Sequence, residues 1–284
     1  MARVLVVGCG YVGSVLASRL GAEGHTVWGL RRDPAGLPET ITGIGCDLRG
    51  SELETHLPDE LDWVFYAVGA DSFTEPAYRN AYVDGMNNLL QALRRKNAAP
   101  KRVVFTSSTG VYHQQDGEWV DETSPTEPTQ FSGQYVLEGE RLVRESPFPS
   151  TAVRFGGIYG PGRSRLITQV RNSEAVCPEG PPRYINLIHR DDCAGVLAHL
   201  MTLDSPAECY LAVDCEPTER GAILRWTAHR LGLPEPPSSP DASPSGRGGS
   251  NKRCSNARLL ASGYRFRYPT FRDGYEALIC EGDA

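Results

Sequence analysis

The sequence predicts an α/β fold with a doubly wound parallel sheet, followed by a small C-terminal substrate lobe. The first observation is that short apolar runs alternate with longer segments of helical periodicity. The second is a glycine-rich turn at residues 8–13, between the first apolar run and the first helical segment. The third is the length of 284 residues, which suffices for one large α/β domain with an added lobe.

The predicted strands are continuous apolar runs, as expected for strands that are buried on both faces of a parallel sheet. We predict strands at residues 3–7, 25–30, 44–46, 61–68, 102–107, 151–155 and 209–213. Helical periodicity predicts helices at residues 12–20, 78–95, 132–145, 192–201 and 218–231. We place the first domain at residues 1–160 and the lobe, partly interwoven with it, at residues 161–284.

One stretch of low complexity, PEPPSSPDASPSGRGG, occupies residues 234–249. Such a composition buries little apolar surface, and we expect a mobile loop at residues 234–250. This loop is either a solvated surface segment or a flap over the substrate site, because long loops in compact domains are often lids.

The composition weighs against several classes of protein. The net charge is −6, so no surplus of basic residues exists to neutralise nucleic acid or an anionic membrane surface. No apolar run reaches the length of about 18 residues that a membrane helix needs. The 8 cysteines lack C-x-x-C spacing and the 6 histidines lack metal-ligand spacing. We therefore expect reduced thiols, a cytoplasmic location and no metal site.

The motif GCGYVG at residues 8–13 has the form G-x-G-x-x-G. It follows a predicted strand and opens a predicted helix, which is the context of a Rossmann-type dinucleotide site. Gly8 permits the tight turn, Gly10 lets the backbone approach a diphosphate, and Gly13 lets the helix pack closely on the strand. The helix N-terminus, with Tyr11 and Val12, then presents free amides to the phosphates.

The residues after the second predicted strand indicate which nicotinamide cofactor binds. An NAD site has a carboxylate there, about 20 residues after the glycine motif, which binds the ribose hydroxyls. This chain has Arg31 and Arg32, and an acid only at Asp33. Two guanidinium groups suit a 2′-phosphate through charge-assisted hydrogen bonds. We therefore predict NADP in preference to NAD; the alternative is that both arginines are solvated charges at a strand end.

Further motifs continue along most of the chain, from Val4 to about Tyr275. They are CDL at 46–48, YVDGMNNL at 82–89, TSSTGVY at 106–112, RFGGIYGPGR at 154–163, IHRDD at 188–192 and SNARL at 255–259. With the glycine motif, they resemble the extended short-chain dehydrogenase/reductases of the NAD-dependent epimerase/dehydratase group, especially its atypical members. TSSTGVY and IYGPGR are the most specific of these segments.

The resemblance implies roles for residues beyond the glycine motif. Ser108 matches the catalytic Ser/Thr, four positions before the tyrosine of the V-Y pair. The resemblance further implies that the cofactor contacts Asp47, Leu48, Val68, Gly69, Ala70, Ser107, Gly156 and Ile158. It implies that a small-molecule substrate contacts Thr109, Tyr112, Arg163 and His189. It also implies a homodimer, formed through the helices predicted at 78–95 and 132–145.

The chain departs from the catalytic Y-x-x-x-K pair of this family, because the lysine is missing. The segment SGQYVLEGE at 132–140 can be aligned in two ways. In the first alignment Tyr135 is the catalytic tyrosine and Gly139 takes the lysine position. In the second, which we favour, the LEGE ending places Ser132 at the tyrosine and Val136 at the lysine. A phenol without a neighbouring cation has a pKa near about 10 and is a poor base at neutral pH.

Two functional hypotheses follow from this departure. The first is an NAD(P)-dependent oxidoreductase or epimerase/dehydratase-like enzyme that acts on a small carbonyl, hydroxyl or nucleotide-sugar-like substrate. Its proton would come from Ser108, from Tyr135 or Ser132 on the next helix, or from water. The second is a catalytically silent NADP(H)-binding sensor or scaffold protein, for which related folds offer an analogy. We favour the enzyme.

Overall fold

A computed structural model describes residues 1–50, 52–242 and 250–282 of the chain. The strands are β1 (Arg3–Val7), β2 (Thr26–Arg31), β3 (Thr42–Gly45), β4 (Trp63–Tyr66), β5 (Arg102–Ser108), β6 (Glu118–Val120), β7 (Ser150–Phe155), β8 (Gly157–Tyr159), β9 (Cys177–Pro178), β10 (Tyr184–Ile185), β11 (Leu187–His189), β12 (Cys209–Ala212), β13 (Thr218–Glu219), β14 (Ser238–Ser239) and β15 (Lys252–Cys254).

The helices are α1 (Gly13–Ala22), α2 (Leu53–His56), α3 (Glu75–Tyr78), α4 (Gly85–Arg95), α5 (Phe131–Arg144), α6 (Arg165–Arg171), α7 (Arg190–Leu200), α8 (Arg220–Leu231), α9 (Ala257–Ala261) and α10 (Phe271–Glu281). A π-helical segment, Arg79–Asp84, lies between α3 and α4, and a 3-10 turn, Thr109–Val111, follows β5. In the part of the chain that the structure describes, no helix has both the length and the apolar character needed to cross a bilayer.

The main sheet has the strand order β12-β7-β5-β4-β1-β2-β3. Strand β1 lies between β2 and β4 and pairs in parallel with both of them. The pairs β2–β3 and β4–β5 are also parallel. The strand order therefore runs outward from β1 in both directions, as in a Rossmann-type sheet. The predicted fold class is confirmed, with each predicted strand present to within a few residues.

The long helix predicted at residues 78–95 begins earlier, at Glu75, and contains the π-helical segment. The buried phenol of Tyr66 donates a hydrogen bond of 2.5 Å to the Ala81 carbonyl inside this segment. A π-helical turn shifts the backbone hydrogen bonds by one residue and leaves room for such an outside donor. The interruption coincides with a contact between β4 and the helix, which periodicity along one segment does not reveal.

The chain divides into two compact units. The first comprises Met1–Val111, Thr126–Arg154 and Ala194–Tyr210, and the second comprises the described residues of Tyr112–Pro125, Phe155–Cys193 and Leu211–Ala284. The domain boundary that we predict at residue 160 stays a prediction. The predicted mobile loop at 234–250 includes strand β14, which pairs in parallel with β9. Residues 243–249 of that loop lie outside the described residues.

Helix α5 is held on the first unit by a buried ion pair and a close backbone approach. Glu140 is 3% exposed and accepts hydrogen bonds from Arg154 Nε at 2.9 Å and Nη2 at 2.7 Å. The same carboxylate accepts a hydrogen bond from Ser107 Oγ. At the start of the helix, a Cβ on Gly133 would lie 2.4 Å from the Gly110 carbonyl oxygen. These contacts fix the register of α5 against the end of β5.

Two buried oxygen atoms in the core of the second unit, one from Asp214 and one from Tyr159, lack hydrogen-bond partners among the described residues. Asp214 is 1% exposed, and its Oδ1 accepts the Glu216 amide at 3.1 Å. Its Oδ2 has no hydrogen-bond partner among the described residues, and neither has the buried phenol of Tyr159. Burial raises the pKa of Asp214 to about 8, because the interior solvates a carboxylate poorly. Burial therefore makes Asp214 keep its proton to a higher pH than an exposed aspartate does.

We predict that Asp214 makes the second unit less stable at alkaline pH. The pKa is raised from 3.8 to about 8 in the folded chain, so folding favours the protonated acid. The free energy of unfolding then falls as pH rises between these two values, by at most about 1.4 kcal/mol per pH unit. Asp214→Asn keeps the shape and removes the titration. Thermal midpoints measured from pH 5 to pH 9 will fall less for this variant than for the wild type.

The control for this experiment is Asp204→Asn, which changes an exposed aspartate. It keeps the wild-type dependence of the thermal midpoint on pH. Equal slopes for the wild type and Asp214→Asn would show that the buried acid does not govern alkaline stability.

Candidate functional site

The glycine motif forms a tight turn after β1. Gly8 has φ of +91°, a left-handed conformation that favours glycine, and a Cβ there would lie 2.8 Å from the Val68 amide nitrogen. A Cβ on Gly13 would lie 2.2 Å from the Gly8 carbonyl oxygen. By contrast, a Cβ on Gly10 would have no atom of any other described residue within 4 Å, its two chain neighbours aside. The first and third glycines are therefore needed for packing, whereas Gly10 faces open space.

Helix α1 begins at Gly13 and points its N-terminus toward this space. Its N-cap residue, Val12, makes no side-chain capping hydrogen bond, and the first turn holds no acid. The positive end of the helix dipole suits an anion. Cys9 in the same loop is buried, and burial raises the pKa of its thiol to about 11, which leaves it unreactive. The loop thus fits the diphosphate of a dinucleotide.

The two predicted phosphate-binding arginines stand at the end of β2, and both have partners within the first unit. Arg31 is half-buried and donates from Nη1 to the Cys9 carbonyl oxygen at 3.1 Å. Arg32 is exposed and forms a bidentate ion pair with Asp71, with both N–O distances at 2.9 Å. Arg31 therefore lies next to the glycine turn, and Arg32 reaches toward the segment that follows β4.

A second ion pair lies after β3, where Asp47 and Leu48 are predicted to contact the cofactor. The Asp47 carboxylate accepts hydrogen bonds from the Arg49 amide at 2.9 Å, from Nε at 3.1 Å and from Nη2 at 2.7 Å. These bonds hold the pKa of Asp47 at about 2, so it is ionised at any ordinary pH. The Leu48 carbonyl oxygen accepts a hydrogen bond from the side-chain amide of Asn88 at 2.9 Å, which connects this segment to α4.

The segment Val68–Ala70 follows β4 and passes beside the glycine turn, as the contact between Gly8 and Val68 shows. Gly69 within it has open space where a Cβ would stand. In the first unit, the structure therefore brings together the predicted cofactor residues at 8–13, 31–32, 47–48 and 68–70 around the carboxyl ends of the central strands. Ligands of open α/β sheets bind at this edge.

The catalytic candidate Ser108 is the last residue of β5 and is half-buried. Its Oγ accepts the Gly110 amide at 3.0 Å, and among the described residues it donates to no acceptor. Its proton is therefore available to a ligand. The neighbouring Ser107 is predicted to contact the cofactor, but its hydroxyl donates to Glu140 in the interior. Thr109 is buried, 9% exposed, in the turn that follows.

Ser132 and Tyr135 lie in the first turns of α5, and both are half-buried. Neither hydroxyl has a hydrogen-bond partner within residues 1–50, 52–242 and 250–282. The contact of Gly133 with Gly110 brings the start of α5 against the turn that follows Ser108. The three catalytic candidates thus belong to two packed elements of the first unit.

Neither of the two positions that the alignments assign to the lysine, Val136 and Gly139, has a lysine. Val136 is 3% exposed and lies one turn before Glu140 on the same helical face. A Cβ on Gly139 would lie 2.6 Å from the Phe105 ring and 2.7 Å from the Tyr82 carbonyl oxygen. Position 139 therefore has no space for a side chain.

The remaining predicted residues lie in the second unit. Gly156 donates its amide to the Ala212 carbonyl at 3.1 Å, and Ile158 pairs with Ile188 between β8 and β11. The Arg163 amide donates to the Gly160 carbonyl at 2.9 Å. Cofactor contact for the first two, and substrate contact for Arg163, stay predictions.

Two predicted substrate residues of the second unit are deeply buried. Tyr112 is 2% exposed and donates its hydroxyl to the Asp121 carbonyl at 2.7 Å. His189 is also 2% exposed, and its Nδ1 accepts the Asp191 amide at 3.1 Å at the start of α7. Burial lowers the pKa of His189 and so favours the neutral ring. Both side chains have structural contacts, and a role toward substrate stays a prediction for each.

Three residues of this region were missed by sequence reasoning: Arg49, Asp71 and Glu140. Arg49 follows the CDL motif by one position, so its charge beside Asp47 was a usable signal. Asp71 lies 39 residues from Arg32, and only the fold brings the two together. Glu140 reads as a surface charge on an amphipathic helix, whereas its partners Ser107 and Arg154 lie on two neighbouring strands.

Comparisons with known proteins identify the family of this chain. A family model described as the NAD dependent epimerase/dehydratase family matches residues 4–205. Protein YeeZ of Escherichia coli K12 is 29% identical over 282 residues, which covers 95% of this chain and 97% of YeeZ. The 3-diazoavenalumate denitrifying reductase of a Streptomyces species is 28% identical over 309 residues, which covers 96% of this chain and 98% of the reductase.

A solved structure from Methylobacillus flagellatus, described as an NAD-dependent epimerase/dehydratase, is 36% identical and superposes with a TM-score of 0.80. The superposition covers 100% of this chain and 99% of the Methylobacillus flagellatus chain. The match of the family model over most of the chain confirms the resemblance that the motifs indicate. The chain belongs to the NAD-dependent epimerase/dehydratase family.

Proposed function

We propose that this chain is an NADP(H)-dependent reductase of a small carbonyl compound or a related activated group, in which Ser108 supplies the proton. The observation that carries this proposal is that the face of α5 that adjoins Ser108 has no cation. Val136 is a buried valine and Gly139 has no room for a side chain, so neither alignment of the catalytic pair provides a cation. The chain thus has hydroxyl groups at this site, but it lacks the lysine that would lower the pKa of one of them and make it a base.

The geometry supports the alignment that places Ser132 and Val136 at the tyrosine and lysine positions. Ser132, Val136 and Glu140 are spaced at intervals of four residues and share one face of α5. That face adjoins the end of β5, because Glu140 accepts the Ser107 hydroxyl. The other alignment requires a lysine-sized space at Gly139, where the Phe105 ring would lie 2.6 Å from a Cβ.

A hydroxyl without a neighbouring cation serves reduction better than oxidation. Oxidation of an alcohol requires a base, and a neutral hydroxyl is a poor one at pH 7. Reduction requires a proton donor, and Ser108 has a proton that no described residue accepts. The reduced nicotinamide, when bound, supplies the hydride. Ser108 then hydrogen-bonds the carbonyl oxygen and transfers its proton to it as negative charge develops there, and water returns a proton to the Ser108 alkoxide.

The related proteins favour a reductase without naming the substrate. One relative that aligns over nearly its whole length is itself called a denitrifying reductase. The solved structure with 36% identity is described as NAD-dependent, so the preference for NADP rests on Arg31 and Arg32 of this chain. An epimerase/dehydratase-like reaction on a nucleotide-sugar-like substrate is the variant of this proposal that the family name supports.

A second candidate function is cofactor binding without catalysis, as in a sensor or scaffold protein. The buried Val136 in place of a lysine is the observation that favours it. Both candidates require the same cofactor site, and they differ in whether Ser108 acts on a substrate. Turnover therefore separates them, whereas cofactor binding alone does not.

We predict that Arg31→Ala weakens binding of NADPH by about tenfold or more and affects NADH much less. The reason is that the 2′-phosphate loses one charge-assisted hydrogen-bond donor. Titration of each reduced cofactor by nucleotide fluorescence measures both affinities. Arg19→Ala is the control, because Arg19 pairs with Glu23 at the far end of α1 and should leave both affinities unchanged. Tighter binding of NADH than of NADPH by the wild type would refute the NADP assignment.

We predict that Ser108→Ala lowers kcat/KM for carbonyl reduction by about 100-fold or more, because the proton donor is lost. Ser108→Thr keeps the hydroxyl and should retain activity within about tenfold of the wild type. The assay follows NADPH oxidation with a panel of aldehydes, ketones, quinones, imines and nucleotide sugars.

Two outcomes of this assay would contradict the proposed reductase. Saturable NADPH binding with no turnover across the panel would favour the silent sensor. Equal activity of the wild type and Ser108→Ala would assign the proton to another donor, such as Tyr135 or water.

A further inference from the structure

The ion pair between Arg32 and Asp71 lies across the cofactor side of the glycine turn. Strand β1 is flanked by β2 on one side and by β4 on the other. Arg32 comes directly after β2, and Asp71 comes five residues after the end of β4. A side-chain bridge between them therefore spans the end of β1, where the glycine motif begins and where Gly10 faces open space.

The neighbouring ion pair, Arg49 with Asp47, belongs to the same group of charges. The guanidinium of Arg32 contributes to the low pKa of Asp47, and Asp71 contributes to the raised pKa of Arg49. We call these four residues the adenosine charge cluster. Two arginines and two aspartates give it no net charge, and Arg31 beside it adds one positive charge. Without a ligand, each guanidinium of the cluster already has a carboxylate partner.

We infer that Asp71 competes with the 2′-phosphate of NADP for Arg32 and thereby sets the selectivity between NADP and NAD. This inference rests on the proposed preference for NADP. A 2′-phosphate that binds Arg32 must displace a bidentate carboxylate with the same fork geometry. The acid also repels the phosphate directly, because both are anions.

The exchange is feasible because the ion pair is on the surface. The side chains of Arg32 and Asp71 are 64% and 67% exposed, and such pairs contribute little to stability. A phosphate that carries more charge than a carboxylate can therefore replace Asp71 at small cost. NAD has no group that replaces it, so removal of Asp71 changes the affinity for NADPH more than the affinity for NADH.

The test compares Asp71→Asn with the control variant Asp33→Asn by titration with NADPH and NADH. Asp33 is also exposed and adjoins Arg32 in sequence, but the one hydrogen bond that its carboxylate accepts from the described residues comes from the Ala35 amide, at 3.0 Å. We expect Asp71→Asn to tighten NADPH binding by roughly three- to tenfold at low salt, and NADH binding by less than about twofold. The gain shrinks at high salt. The gain also shrinks in an Arg32→Ala background, because Asp71 and the 2′-phosphate then no longer compete for Arg32.

Three results would overturn the inference. They are unchanged or weaker NADPH binding by Asp71→Asn, an equal gain in Asp33→Asn, and an undiminished gain in the Arg32→Ala background. Failure of the proposed function has a different signature, which is wild-type preference for NADH or the absence of Ser108-dependent turnover. Circular dichroism and thermal midpoints of all variants establish that each is folded, which an exposed Asp-to-Asn change should leave intact.

Discussion

The close approach of backbone to backbone at the glycine turn is the constraint on which this molecule depends. Gly8 and Gly13 let α1 start directly behind β1, since a Cβ at either position would overlap main-chain atoms. That packing points the first amides of α1 at the space before Gly10 and places the ends of β2 and β4 on either side. Arg31 and the ion pair of Arg32 with Asp71 lie at these strand ends.

A buried ion pair fixes the part of the site where the catalytic candidates lie. Glu140, Arg154 and Ser107 join α5 to two neighbouring strands in an interior where an unpaired charge is costly. This network aligns α5 with β5, and the same alignment leaves Val136 buried. Neither Val136 nor Gly139 provides a cation on this part of the helix. The proposed chemistry, with a neutral hydroxyl as proton donor, follows from the absence of that cation.

The sequence predicted the features that depend on local pattern. The glycine motif, the buried strands and the family motifs are each contained in a short segment, and the fold class and family follow from them. Contacts between distant segments could not be predicted from the sequence. The pairing of Arg32 with Asp71, the burial of Glu140 and the π-helical turn opposite Tyr66 each join residues from different elements. The raised pKa of Asp214 likewise depends on burial that no single segment shows.

The most direct measurement of the central claim uses Gly10→Val. Because a Cβ on Gly10 would meet no atom of any other described residue within 4 Å, its two chain neighbours aside, this variant should fold with an unchanged thermal midpoint. Its side chain occupies the space that we assign to the diphosphate, so calorimetric titration with NADPH should show saturable binding by the wild type and none by the variant. Equal NADPH affinity of the two proteins would contradict the account, because the dinucleotide would then bind elsewhere.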